Sequence, residues 1–209
     1  ISIQKDAFLS QVSHELRTPM TSILSFAQIL RDGSSLDMNE QARYASIIHD
    51  ESVRLTRLLD DLLDVSVLEN GQVNLNISSG HVADLLDRAI ATVVAGDAHI
   101  QMQIKCEIPD NLAPLTTDLD RLGQVFINLI SNAKKYCDAT RPLLTISAYQ
   151  AANDIVIDFV DNGVGIPADE QDFIFEKFAR VGEQKTGGAG LGLAICKEII
   201  ARLGGQISY

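Results

Sequence analysis

Basic residues are scarce in this chain: 17 lysines and arginines stand against 28 acidic residues, a formal net charge of −11. That balance argues against a nucleic-acid or anionic-membrane surface, both of which want clustered positive charge. Cysteine is also sparse. Cys106, Cys137 and Cys196 are odd in number and widely separated, which excludes a disulfide framework and any zinc spacing. They fit reduced, buried thiols of a cytosolic domain. Long apolar runs are missing too. Ala89 to Ala95 is the nearest and falls far short of the roughly 20 residues that cross a bilayer. No signal-peptide pattern is present. The chain starts at Ile1 rather than Met, so it reads as a piece of a longer protein, with any membrane attachment in the parent's other parts. What remains is a 209-residue soluble composition, enough for one or two domains with a real core.

The first third is helical. Phe8, Val12, Leu16, Met20 and Ile23 recur every three to four residues, predicting a helix from about Gln4 to about Leu30. Pro19 lies inside it and predicts a bend just after His14. Asp32-Gly33-Ser34-Ser35 marks a turn, and a second helix runs from about Asn39 to about Leu68. Its stripe is wide, with Leu55, Leu58, Leu59, Leu62, Leu63 and Val65 almost continuous at the far end. One hairpin cannot bury all of that, whereas two hairpins packed as a dimeric four-helix bundle can. After Asn70-Gly71 the pattern changes. Strand-like alternation at Val73–Ile77, Ile100–Ile108, Leu143–Ala148, Ile155–Val160 and Gln206–Tyr209 is interleaved with helices at Val82–Ala95, Leu119–Tyr136 and Leu191–Leu203. The expected fold class is α+β: a helical hairpin (residues 1–69), then an α/β sandwich (70–209) with helices on one face of a mixed sheet.

Several segments carry chemistry. His14 falls off the apolar stripe, so its imidazole faces solvent, where a neutral ring can act as a nucleophile. Glu15 beside it can accept a proton or hold the tautomer. Asn128 and Asn132 share a helix face; they are either ordinary surface amides or neutral hard ligands suited to Mg²⁺. Asp161-Asn162-Gly163-Val164-Gly165-Ile166-Pro167 follows a strand, and its glycines let the backbone turn tightly. Phe173, Phe175 and Phe178 read as a core-facing aromatic cluster. Gly187-Gly188-Ala189-Gly190-Leu191-Gly192 leads into a helix, a ready anion site that is neither a Rossmann fingerprint nor a Walker loop.

In this order, the segments at His14, Asn128–Tyr136, Asp161–Pro167, Phe173–Phe178 and Gly188–Leu193 strongly resemble the H, N, G1, F and G2 boxes of the two-component sensor histidine kinase family. The resemblance spans nearly the whole chain. It implies a dimerisation and phosphoacceptor hairpin, then an ATP-binding domain of the type shared with gyrase and Hsp90. It makes the chain a protein-histidine kinase core that uses ATP and Mg²⁺ and works as a homodimer in the cytoplasm. It also implies phosphotransfer to the receiver domain of a response regulator. Residue by residue, His14 becomes the phosphoacceptor with Glu15 as its acid–base partner. Asn132 becomes the Mg²⁺ ligand with Asn128 in support, and Lys135 meets the phosphates. Tyr136 offers its ring to adenine, and Asp161, with Gly163 and Gly165, recognises the base. Gly188, Gly190, Leu191 and Gly192 line the phosphates, joined by Arg180 and Lys185 from the ATP lid. Lys134 matches no family role and reads as a solvated charge. Thr18, one turn past His14, either positions a water for dephosphorylating the regulator or bonds its own helix before Pro19. A further strand normally follows the Gly204–Ile207 region in the family and would complete the sheet. A plain ATPase of the same nucleotide fold would lack the hairpin with His14, and a non-catalytic scaffold would lack Asn132, Asp161 or the glycines.

Overall fold

Two long helices, α1 (Ser2–Asp32) and α2 (Met38–Glu69), open the computed structural model, which describes residues 2–33, 36–69, 74–96, 102–180 and 190–209, with backbone alone at 2–7, 69 and 96. α1 runs through Pro19 as one helix, with the proline ring buried. A reciprocal capping box starts α2: Asp37 Oδ1 accepts from the Glu40 backbone N–H at 2.8 Å, and Glu40 Oε2 accepts from the Asp37 N–H at 3.1 Å. The helices fold back on each other, with the Phe26 and Tyr44 rings 5.3 Å apart.

The second part runs β1 (Ile77–Gly80), α3 (Val82–Gly96), β2 (Gln103–Glu107), β3 (Leu115–Asp118), α4 (Leu119–Tyr136), β4 (Leu143–Ala151), β5 (Asp154–Asp161) and α5 (Gly192–Arg202). A mixed sheet has the order β2-β4-β5: β2 is parallel to β4 (Cys106 opposite Ile146), and β5 is antiparallel to it (Leu144 opposite Asp161). β1 and β3 form a separate antiparallel pair. β3 was not expected from the sequence, because four residues with two threonines carry almost no periodic signal. The expected strand at Gln206–Tyr209 does not form; those residues have no strand pairing.

Leu144, Ile146 and Ala148 alternate into the core, where Phe126 and Ile130 of α4 and Leu86 of α3 cover them. α4 starts on Asp118, the one buried charged residue among those described. Its carboxylate accepts from the Arg121 N–H at 3.1 Å and from the Asn76 N–H at 2.9 Å. It thereby caps the helix and ties down the chain leaving the hairpin.

A second core joins the two parts and corrects the expectation for α2. Leu58, Val65 and Leu68 pack against Val125 of α4 and against Ile195 and Ile199 of α5. Leu59, Leu63 and Val67, one residue round the helix, stay exposed. The wide stripe is therefore two stripes, of which one seats the α/β domain. Beside it, Gln124 Nε2 donates to Asp64 Oδ2 at 2.6 Å, and Arg121 Nη1 reaches Asp64 Oδ1 at 3.4 Å. Asp61, on the same face of α2, has its carboxyl pushed up to about 6 by burial, with the charges of Asp64 and Asp60 adding and Arg57 opposing.

Candidate active site

Four sequence segments meet around the C-terminal half of α4. Asn128 and Asn132 are half-buried there, while Lys135 and Tyr136 in the last turn are exposed, with Lys135 Nζ 4.9 Å from the Tyr136 ring centre. The loop after β5 is fastened to the end of α4. Asn162 Oδ1 accepts from the Leu143 N–H at 2.8 Å and from Cys137 Sγ at 3.3 Å, and its Nδ2 donates to the Arg141 carbonyl at 3.0 Å. Asp138 Oδ1 accepts from the Val164 N–H at 3.2 Å. Asp161 turns its Oδ1 onto the Gly163 N–H at 2.8 Å, so this exposed carboxylate orders its own loop. A Cβ on Gly163 would come within 2.9 Å of that oxygen and 3.3 Å of the Cys137 Cα, so a side chain there would push the Asp161 carboxylate off its bond. Gly165 takes φ 73°, and the next N–H, of Ile166, donates to the Tyr209 hydroxyl at 3.0 Å.

The glycines before α5 are fastened in the same way. Gly190 takes φ 70°, and its carbonyl accepts from the Phe178 N–H at 2.8 Å. A Cβ there would meet the Ala179 carbonyl oxygen at 2.6 Å and the Phe178 carbonyl carbon at 2.7 Å. Phe178 itself sits at φ 63°, a left-handed conformation that a side chain tolerates only when its surroundings impose it. Gly192 faces Asn128, with 4.0 Å between a built Cβ and the amide carbon. The Asn128 side chain hydrogen-bonds the buried Cys196 thiol, which burial pushes up to about 12 with that bond in opposition. The donor set suits Mg²⁺ with a triphosphate: neutral amide oxygens, an adjacent lysine and a helix N-terminus.

On the hairpin, His14 is exposed and lines a shallow groove with Arg17, Thr18, Thr21, Ser22, Ser25 and Phe26, all from α1. The Thr18 hydroxyl donates to the His14 backbone carbonyl at 3.3 Å, the helix-bonded alternative of the two. Glu15 points elsewhere. Its Oε2 accepts from Arg180 Nη2 at 2.6 Å, so the two residues expected to serve histidine and phosphate respectively are paired with each other.

Three other expectations are corrected. Phe173 is exposed and Ile174 buried in its place, while Phe178 packs on Phe8 of α1 with ring centres 5.5 Å apart. Cys106 is exposed on β2, and Cys137 is only half-buried. Lys134 is half-buried, with Nζ 3.4 Å from the Val93 carbonyl that closes α3, a cation at a helix C-terminus rather than a solvated charge. Lys185 and Gly188 lie outside the described residues. The sequence reading missed the fastening residues Asn162, Asp138, Tyr209 and Cys196; their partners are 43 to 19 positions away or on another element, where no periodicity points.

A helical hairpin carrying an exposed histidine is thus seated on an α/β domain whose Gly163 and Gly190 lie in close-packed turns beside α4 and α5. Comparison with known proteins agrees. Residues 4–71 match the His Kinase A (phospho-acceptor) domain, and residues 117–209 match the histidine kinase-, DNA gyrase B- and HSP90-like ATPase family. The chain is 35% identical over 207 residues to the alginate biosynthesis sensor protein KinB of Pseudomonas aeruginosa, covering 98% of this chain and 34% of that protein. It is 33% identical to the sensor protein kinase WalK of Staphylococcus aureus, covering 98% and 50%. Among solved structures, the Acinetobacter baumannii histidine kinase AdeS superposes with a TM-score of 0.74 at 27% identity, covering 94% of this chain and 90% of that one. The histidine kinase ThkA, solved in complex with the response regulator protein TrrA, shares the fold with a TM-score of 0.73 at 22% identity, covering 95% and 55%. The chain belongs to the two-component sensor histidine kinase family and corresponds to its catalytic core. It spans about a third to a half of the length of the curated relatives it matches. Among the described residues, no helix is long and apolar enough to cross a membrane.

Proposed function

We propose that this chain transfers the terminal phosphoryl group of ATP to His14 and passes it on to an aspartate in the receiver domain of a response regulator. An imidazole nitrogen of His14 attacks the γ-phosphorus, the bond to the ADP oxygen breaks, and the ring's proton passes to Glu15. Such a transfer needs positioning and charge neutralisation rather than covalent help. Asp161, with Gly163 and Gly165 shaping the backbone, holds adenine, and Tyr136 covers it. Lys135 and Arg180 carry positive charge to the phosphates, beside the N–H groups that open α5. Asn132, supported by Asn128, holds the Mg²⁺ that accompanies ATP and screens the triphosphate charge.

The observation that carries this reading is the exposed His14 on the same chain as four nucleotide-box segments joined by hydrogen bonds and close packing. The groove around His14 is lined, among the described residues, by α1 alone and is the proposed seat of the receiver; ThkA's complex with a response regulator supports that class of partner. The exposed stripe of Leu59, Leu63 and Val67 on α2, with Met20 and Leu24 on α1, is the proposed homodimer surface. We divide the domains at 69/70, where α2 ends. The core works in the cytoplasm, where ATP is supplied.

The test is incubation of the chain with [γ-³²P]ATP and Mg²⁺. A label that survives alkali, is lost in mild acid and maps to the His14 peptide is expected, because the P–N bond hydrolyses when protonated. An acid-stable label, or none, contradicts the reading.

A further inference from the structure

Arg180 follows a segment held in place from two sides. Two residues before it, Phe178 is fixed in its left-handed backbone by the Gly190 carbonyl at 2.8 Å and packed at a tilt against the Phe8 ring of α1, with ring centres 5.5 Å apart. That mounting delivers Arg180 Nη2 to Glu15 Oε2 at 2.6 Å, across 165 positions of sequence. The Glu15 side chain keeps only 11% of its exposure, whereas Arg180, at 35%, still meets water. The charge-assisted bond is short, and water on the Arg180 side lets the guanidinium exchange it for another anion. The other carboxylate oxygen of Glu15, Oε1, faces Gln11 Nε2 at 3.5 Å. Neither oxygen is bonded to His14, whose side chain leaves the helix about 100° away.

We propose that Arg180 is a positioning residue shared between two anions, the Glu15 carboxylate and the nucleotide's phosphates. Nucleotide binding and release of Glu15 toward His14 are thereby coupled. This rests on the phosphate-facing role given to Arg180 above. In the state described, the guanidinium is spent on Glu15 and the acid–base partner of the histidine is held off it. When phosphate oxygens draw Arg180 away, Glu15 loses its counter-ion and turns to the neighbouring imidazole, whose proton it can take. Coupling of this kind is reciprocal: what nucleotide does to the Glu15 pair, the Glu15 charge must do to nucleotide affinity.

The experiment is a thermodynamic cycle read by calorimetric titration with Mg²⁺ and a non-hydrolysable ATP analogue, so no turnover enters. Wild type, Glu15→Gln, Arg180→Ala and the double variant are compared, with Arg180→Lys as the conservative replacement. Glu15→Gln, which keeps the shape and removes the competing charge, is expected to tighten binding about five-fold. In the Arg180→Ala background the same change is expected to do nothing, and in Arg180→Lys to restore part of the gain. A merely structural ion pair would lower the melting temperature of Glu15→Gln and leave its affinity at the wild-type value, which overturns the proposal. An equal gain in the Arg180→Ala background overturns it as well, because the effect would then not pass through Arg180. Absence of nucleotide binding in the wild type itself would instead bring down the function proposed above, and this inference with it.

Discussion

Asn162 and His14 both lie at the surface beside the proposed chemistry, yet they are held by different means. Asn162 spends both ends of its amide on the backbone of residues 141 and 143 and takes a third contact from Cys137. His14 makes no side-chain hydrogen bond among the described residues; its helix alone fixes where it points. The same contrast separates the two halves of the molecule. The nucleotide half builds its site from turns, each fixed by a polar contact or a glycine with no room for a side chain. The hairpin half presents its chemistry on one face of a helix whose other faces do the packing. Damage to the first should therefore disturb fold and binding together, whereas damage to the second should separate chemistry from fold.

The seam between the halves offers the largest test. Leu58→Glu places an unpaired carboxylate in the shared core, where Leu58 is 6% exposed, and is expected to cost about 4 kcal/mol, read as urea unfolding. Leu63→Glu, on the exposed stripe, should leave chain stability within about 0.5 kcal/mol while turning the proposed dimer into a monomer by light scattering. Equal costs at the two positions would merge the stripes into one.

Gly190→Ala comes next. A Cβ at φ 70°, pressed on the backbone of Phe178 and Ala179, is expected to cost about 2–3 kcal/mol and lower the melting temperature by about 5–10 °C. Gly192→Ala, with 4.0 Å of room, should melt within about 1 °C of wild type.

A smaller effect belongs to Asp61. Its carboxyl is pushed from 3.8 to about 6 by burial, so the folded state binds a proton that the unfolded state gives up more readily. Folding therefore loses stability as pH rises from about 4 to about 6, and the loss is complete above that window. Asp61→Asn is expected to restore about 1 kcal/mol at pH 7.5, since solvent reaches part of the side chain, and to change little at pH 4. Thermal melts at the two pH values read it. An unchanged pH profile would mean that α2 does not carry this carboxyl into the seam.

Thr18→Ala should move the fold least, by less than about 0.5 kcal/mol, because it removes one exposed bond to the His14 carbonyl. Autophosphorylation is expected to stay near normal. If the hydroxyl leaves its own helix to position a water, decay of the phosphorylated regulator slows by about ten-fold. Equal decay rates would keep Thr18 in its helix-bonded role.

The sequence was most legible where a single element decides its own limits. α4 runs from Leu119 to Tyr136 as its period predicts, and both hairpin helices lie within two residues of the expected ends. Legibility failed where a partner far along the chain decides. Nothing local shows that Leu58 belongs to the seam and Leu59 does not, because both fit the same wide apolar stripe. β3 exists because β1 pairs with it, Thr117 opposite Ser78, and Cys106 is exposed despite alternating correctly, because β2 is an edge strand of its sheet. In the site, residue types and order pointed to the domain that residues 117–209 match. The pairing of Glu15 with Arg180 was invisible, since each residue already had a plausible separate duty.

The central claim, that acceptor and nucleotide site are separable parts of one kinase core, is tested most directly on the His14→Gln variant. Nucleotide affinity by titration and acid-labile phosphate incorporation from [γ-³²P]ATP are measured on the same sample. Wild-type affinity, within about two-fold, is expected together with complete loss of the label, since among the described residues no hydrogen bond of the α/β domain is made to the imidazole. Labelling at wild-type strength in that variant would contradict it.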